Sequence, residues 1–212
     1  MDGAMTTSDK LSNLTIRQAK ADDAAAAVPL IYSSGPAAFD WLLQRKRSTA
    51  PDFLSYAFKH PRGLFSYTCH LVACIDGKVV GTSTACTLKE CKPMMRWTGI
   101  DFVRYFGPFA GASVLIRGLR LDRALPPPLP GRLYIGHLGV APECRSQGIG
   151  AALIQSSIER HPEGSTLIPA LDVAVTNPRA QALYERLGFR VIVERPSPDP
   201  AVPAHRYMEW AK

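Results

Sequence analysis

Residues 138–150 read Leu-Gly-Val-Ala-Pro-Glu-Cys-Arg-Ser-Gln-Gly-Ile-Gly. An apolar strand pattern ends at Pro142, a short polar loop follows, and a glycine-bearing turn opens a helical pattern at Gly148. That order builds a seat for a pyrophosphate. The amides of a helix's first turn have no partner inside the helix and point at whatever lies off its N-terminus. Glycines let the backbone approach a ligand closely, and the helix end favours negative charge. Arg145 adds a cation at the same end. The chemistry suited to this turn is the gripping of a phosphate-bearing cofactor. Metal and thiol chemistry find less support. The histidines at 60, 70, 137, 161 and 205 have no metal-ligand spacing, and no metal is expected. The cysteines at 69, 74, 86, 91 and 144 are odd in number and contain no Cys-x-x-Cys pair. They read as a reduced, cytoplasmic chain without structural disulfides. Cys144 lies in the phosphate turn with no activating neighbour in sequence, so its place there is incidental.

The totals bound what can surround such a turn. The 212 residues and 46% hydrophobic content suit one globular domain over 1–212 with a sizeable core. A formal net charge of +7 favours anionic partners. The basic residues are scattered instead of gathered in a tract, which points to a nucleotide-like cofactor and away from nucleic acid. No apolar run approaches a membrane span, so no membrane partner is expected. Residues 1–4 read as an appended remnant before a native start at Met5.

The elements that must position the turn follow from pattern. A first strand is expected at 14–17, and a helix from Asp22 and Asp23 through Tyr32. Further helices are expected at 37–47 and around 53–58. Strands at 69–75 and 78–87 flank Asp76-Gly77, a hairpin signal, and this would put Cys69 and Cys74 on opposite sides of one strand. Two helical stretches, 93–106 and 109–125, are divided by Gly107-Pro108 and closed by a stiff Pro-rich connector at 126–131. We read 88–131 as an inserted helical pair between the third and fourth strands. A strand at 133–140 then leads to a helix at 149–160 whose buried line would be Ala151, Ile154 and Ile158. A strand at 170–176 carries Leu171, Val173 and Val175 on one face. Asn177-Pro178 starts a helix with Ala180, Leu183 and Leu187 toward the core, and Gly188 ends it. Strands at 189–194 and 205–210 close the chain. The whole is mixed α/β: a mostly antiparallel mixed sheet of about six to seven strands flanked by helices, not a regular βαβ array.

Two stretches carry a family resemblance. Val140 to Gly150, with Arg145-Ser146-Gln147-Gly148-Ile149-Gly150 at its heart, resembles the acetyl-coenzyme A motif of the GCN5-related N-acetyltransferases, Arg/Gln-x-x-Gly-x-Gly/Ala. Asn177-Pro178-x-Ala180-x-x-Leu183-Tyr184-x-x-x-Gly188-Phe189 resembles the second signature of that superfamily. The resemblance is specific over 133–190, and the insertion at 88–131 departs from the minimal pattern. It implies a fold in which the two signature strands splay apart, with pantetheine in the wedge and the acetyl thioester at the sheet centre. It also implies direct transfer of an acetyl group from acetyl-coenzyme A to a primary amine of a small molecule, peptide or protein.

Roles follow residue by residue. Leu138, Gly139 and Val140 would offer main chain to pantetheine and the acetyl carbonyl. Arg145, Ser146, Gln147, Gly148, Ile149, Gly150 and Ala151 would seat the pyrophosphate. Asn177 either contacts the pantetheine chain or simply caps its helix. Tyr184 is the candidate general acid for the leaving thiolate, and it also fits the role of a packed aromatic and cofactor contact. His137, beside the expected acetyl position, is the candidate base or water-relay partner, with a hydrogen-bonded core histidine as the alternative. Asp172, Glu143 and Tyr134 are further base candidates. The aromatics of the insertion, Trp97, Phe102, Tyr105, Phe106 and Phe109, either line an acceptor pocket, pack on the sheet or form a homodimer contact. The rival reading keeps the fold without the chemistry: a silent acyl-coenzyme A-binding or regulatory protein.

Overall fold

The computed structural model describes residues 13–163, 166–197 and 199–211. Residues 1–4 and the start at Met5 lie outside the described residues. The strands are β1 Leu14–Gln18, β2 His70–Ile75, β3 Lys78–Cys86, β4 Arg132–Val140, β5 Ile168–Ala174, β6 Phe189–Arg195 and β7 His205–Trp210. They form one sheet in the order β1-β2-β3-β4-β5-β7-β6. Every neighbouring pair is antiparallel except β4 with β5. The helices are α1 Ala24–Ser33, α2 Pro36–Leu43, α3 Ala50–Phe58, α4 Leu88–Phe106, α5 Pro108–Leu121, α6 Ile149–Arg160 and α7 Pro178–Arg186.

Local chemistry explains most boundaries. Asp76 and Gly77 both take positive φ, the geometry of a tight hairpin turn between β2 and β3. Thr49 with Asp52 and Thr87 with Glu90 form capping boxes that start α3 and α4. The second box corrects the expectation that α4 begins at Pro93, since the helix starts five residues earlier, at Leu88. Other expectations shift in the same modest way. α2 stops at Leu43, because Arg45 and Ser48 pair as an isolated bridge. α5 stops at Leu121, with its C-cap at Asp122. Cys69 sits in a 3-10 turn at Tyr67–Cys69, not in β2. β5 starts at Ile168 and ends at Ala174, so Val175 falls past it.

The two faces of the sheet carry different helices. One face packs Val72 and Cys74 against α1, α2 and α3, with Phe53, Phe58, Phe102 and Val114 in the same cluster. The insertion helices α4 and α5 therefore belong to this face. The other face packs Ile135, Leu171, Val173 and Met208 against α6 and α7. On α6 the buried residues are Ile149, Leu153, Ile154 and Ser157, so the expected line through Ala151 and Ile158 is rotated by about one position. On α7 the buried residue is Tyr184, with Ala180, Leu183 and Leu187 only partly covered.

Candidate functional site

The site begins where pairing stops. β4 and β5 are in register only at Arg132–Ile168, Leu133–Pro169 and Tyr134–Ala170. Beyond Tyr134 and Ala170 the strands part, although β4 continues to Val140 and β5 to Ala174. A wedge opens between their carboxyl ends, where open sheets usually take ligands. β4 is bulged at the same place. Thr82 pairs with Gly139 and Thr84 with Gly136, so Ser83 faces both His137 and Leu138. His137 takes φ 48°, a left-handed conformation uncommon outside glycine. The Thr82 hydroxyl donates to its carbonyl at 3.0 Å. The bulge turns Leu138 toward the α6 face and His137 toward the opposite one, against Phe39 and Phe65. Gly139 lets α1 cross here: a Cβ would lie 2.1 Å from the Leu30 carbonyl oxygen.

At the mouth of the wedge stands the turn expected to take a phosphate. Ser146 (φ 63°) and Gly148 (φ 82°) are both left-handed, and Gly148 is the N-cap of α6. Successive main-chain N–H groups in such a turn make a concavity for anions. Among the described residues, the amides from Ser146 through Ala151 donate to no protein acceptor; the first bond into the helix is Ala152 N–H to the Gly148 carbonyl. A Cβ at Gly148 would meet nothing within 4 Å, so the space above it is open. Arg145, exposed, folds its Nε onto the Val140 carbonyl at 3.0 Å. Arg179 donates to the Ser146 hydroxyl at 3.0 Å, tying the two signature segments together. Gln147 turns away and donates to the Glu143 carbonyl. Asn177 accepts from the Ala180 amide at 3.1 Å, so its carbonyl oxygen caps α7 and its NH₂ remains for a ligand.

One cavity of about 1050 Å³ joins these parts and passes through the wedge to the insertion face. Leu138, Gly139, Val140, Arg145, Ser146, Gly148, Ile149, Gly150, Ala151, Asn177 and Tyr184 all line it. Gln147 and Glu143 do not. Tyr184 is 7% exposed, and its hydroxyl has no protein hydrogen-bond partner among the described residues. Burial pushes its pKa up to about 12, so the group is protonated at neutral pH.

On the insertion face, two groups differ sharply. His137 is drawn into a chain: its Nδ1 lies 3.0 Å from His70 Nε2, and His70 Nδ1 lies 2.7 Å from the Ser66 carbonyl. Burial lowers His70 to about 4, and burial with the neighbouring His70 lowers His137 to about 3. Both rings are therefore neutral. A carbonyl only accepts, so His70 donates from Nδ1, accepts at Nε2 from His137, and leaves a lone pair on His137 Nε2. Asp172 moves the other way. Its side chain is 3% exposed and burial raises it to about 6. The Tyr134 hydroxyl donates to it at 3.0 Å and Arg195 at 2.9 Å. Tyr134 is thus a donor with a raised pKa, poorly suited to act as a base. Glu143 is exposed in the phosphate turn, away from the cavity. The Tyr134–Asp172–Arg195 group was legible only as a lone carboxylate in the apolar run Ala170 to Ala174, a residue that burial allows only with partners.

Comparison with known proteins shows the family and the fold. A family model described as the acetyltransferase (GNAT) family matches residues 36–189. None of the curated proteins matches the sequence. Among solved structures, an acetyltransferase superposes with a TM-score of 0.66 at 21% identity, covering 92% of this chain and 98% of the other. An N-acetyltransferase from Staphylococcus aureus Mu50 gives 0.63 at 17% identity over 92% and 99%. The apo form of an agmatine N-acetyltransferase variant gives 0.54 at 17% over 93% and 98%. At such identities these likenesses speak for the fold.

Proposed function

Because the chain belongs to the GNAT acetyltransferase family, we propose that it is an acetyl-coenzyme A-dependent N-acetyltransferase that passes the acetyl group directly to a primary amine. The observation that carries the reading is the parting of β4 from β5 onto a turn whose amides have no protein acceptor. The residues fit the coenzyme: open space over Gly148, free amides from Ser146 through Ala151, and Arg145 and Arg179 beside them.

When bound, acetyl-coenzyme A supplies an activated acetyl thioester. The chain supplies the rest. The turn holds the diphosphate, and Leu138 and Val140 border the pantetheine path on the α6 face. Asp172, ionised above about pH 6, takes a proton from the acceptor nitrogen as the new bond forms. His137 is too weak a base at about 3 for that task, and its Nε2 lone pair instead accepts a hydrogen bond from the arriving amine. Tyr184, protonated and lining the same cavity, would donate a proton to the departing thiolate. A hydroxyl without a protein partner on one side of the wedge and a tuned carboxylate on the other favour catalysis over silent binding.

The test is coenzyme A release across a panel of amines, beside calorimetry with acetyl-coenzyme A. Binding together with amine-dependent release supports the reading. Binding without release from any amine leaves a silent acyl-coenzyme A-binding protein instead.

A further inference from the structure

The cavity is divided by charge. Its cationic lining residues are Arg145, Arg179 and Arg186, all on the phosphate turn or α7, that is, on the coenzyme side. On the insertion side the charged lining residues are Asp122 and Asp172, the latter ion-paired from behind the lining with Arg195. Among the described residues no lysine or arginine lines that half, although the chain carries a net charge of +7. Its remaining wall is mostly apolar: Phe39, Met94, Met95 and Phe102, with Leu115 and Leu119 from α5. Leu115 and Leu119 are 37% and 71% exposed, so they stand at the mouth and not in the depth. Paired methionines make a wall that adapts to the shape of what it receives. Desolvation raises the pKa of both Asp122 and Asp172, which marks this half as poorly hydrated.

Resting on the acetyltransferase reading above, the geometry points to an acceptor of one chemical class: a primary amine carried on an apolar body, such as an alkyl or aralkyl amine. Its head group enters past the carboxylates as an ammonium, gives one proton to water, and meets Asp172 as the neutral amine, while its hydrocarbon part lies against α4 and α5. Beyond the single further carboxylate of Asp122, the extra charges of a polyamine or the main-chain polar groups of a lysyl peptide would lie against Phe102, Leu115 and the methionines, which offer them no hydrogen bonds. The apolar body gains instead from burial, at about fourfold in affinity for each methylene removed from water. The insertion at Leu88–Phe106 and Pro108–Leu121 is thereby the specificity element of the site.

The experiment compares kcat/KM for butylamine, hexylamine, octylamine and phenethylamine with that for spermidine, free lysine and a lysyl peptide. The expected result is a rise of about threefold to fourfold per methylene along the alkyl series until the chamber is filled. Spermidine, lysine and the peptide should trail by at least tenfold. Met95→Arg should lower kcat/KM for octylamine by at least tenfold and leave the KM for acetyl-coenzyme A within twofold. If that protein does not fold, isosteric Asp122→Asn should raise the octylamine KM several-fold. Equal or better turnover of the polar amines, a flat alkyl series, or octylamine kinetics unmoved in a folded variant overturns the inference while acetyl transfer stands. If acetyl-coenzyme A binds but no amine releases thiol, the acetyl-transfer reading fails. Calorimetry of octylamine against the coenzyme A-loaded protein then decides the binding claim directly, with no measurable heat as the negative result.

Discussion

The two halves of the cavity are built from different materials. The half proposed for the coenzyme is made of main chain: six amides, two left-handed residues and a helix end, contributed by one stretch of sequence from Arg145 to Ala151. The insertion half is made of side chains brought from β4, β5, α2, α4 and α5, far apart in sequence. A main-chain site holds its ligand through groups every residue possesses, so what matters is conformation, and glycine placement reveals it. A side-chain site depends on which residues tertiary packing brings together, and no local spacing records that. The first kind suits a ligand shared by a whole family, and the second suits one that differs from member to member.

The sharpest way to break this comparison is to spoil the main-chain half. Gly150 packs so closely that a Cβ would sit 3.2 Å from Leu183 Cδ2. Gly150→Glu adds bulk there and puts a carboxylate beside the diphosphate seat, at a helix end selected for anions. Acetyl-coenzyme A binding should vanish in calorimetry while the far-ultraviolet circular dichroism stays native. Retained affinity would mean that the turn is not the seat. Next in size is Tyr184→Phe, which should cut kcat by roughly a hundredfold with little change in coenzyme KM. An unchanged kcat would reduce Tyr184 to the packing role it has beside Phe189, 6.2 Å away between ring centroids.

Those two positions were also the readable ones. The strand, turn and helix at 133–160 and the Asn177-Pro178 start were legible because caps, glycines and periodicity are local. The splay of β4 from β5 was legible only through resemblance, since strand separation has no sequence signature of its own. The Thr87–Glu90 capping box was present in the sequence, but Pro93 masked it: proline is tolerated near a helix start, and its presence suggested the start itself. The strand position of His137 is visible in the sequence. What the sequence hid was its partner His70, sixty-seven residues away, and the bulge that turns it. Burial beside a second imidazole then lowers its pKa out of the range useful to a base. Asp172 stands in the sequence only as one carboxylate among several, because Tyr134 and Arg195 reach it only in the folded sheet.

A smaller effect sharpens the side-chain half. Asp172 must be ionised to accept a proton, and it is half-protonated at about pH 6. As pH falls through that value, kcat/KM should lose up to an additional factor of ten per unit beyond the loss of neutral amine. In Asp172→Asn that break should be gone, with the rate at pH 7.5 lower by roughly tenfold, because water and buffer take part of the proton load. A break that persists near pH 6 in the variant would assign the titration to another group.

The smallest effect concerns stability, and it too separates the halves. His70 and His137 titrate at about 4 and about 3 in the folded protein, against about 6.5 in an unfolded chain. Between those values the unfolded chain binds more protons than the folded one, so acid favours unfolding. About one pH unit above 6.5 both rings are largely neutral in either state and their linkage adds little. Below it their penalty grows until the folded values are reached. The slope of unfolding free energy against pH, read from denaturant titrations around pH 5, should show uptake of about two protons on unfolding from this pair, beyond what the carboxylates contribute. His137→Asn removes one titrating ring and keeps a residue type that tolerates φ 48°, so the uptake should drop by about one proton without local backbone strain. Uptake unchanged in that variant would mean that His137 is not held neutral, and a hydrated, protonatable imidazole at the bulge would restore it as a base. The insertion half would then be wetter than its lining suggests, and both the choice of Asp172 and the apolar acceptor would weaken together.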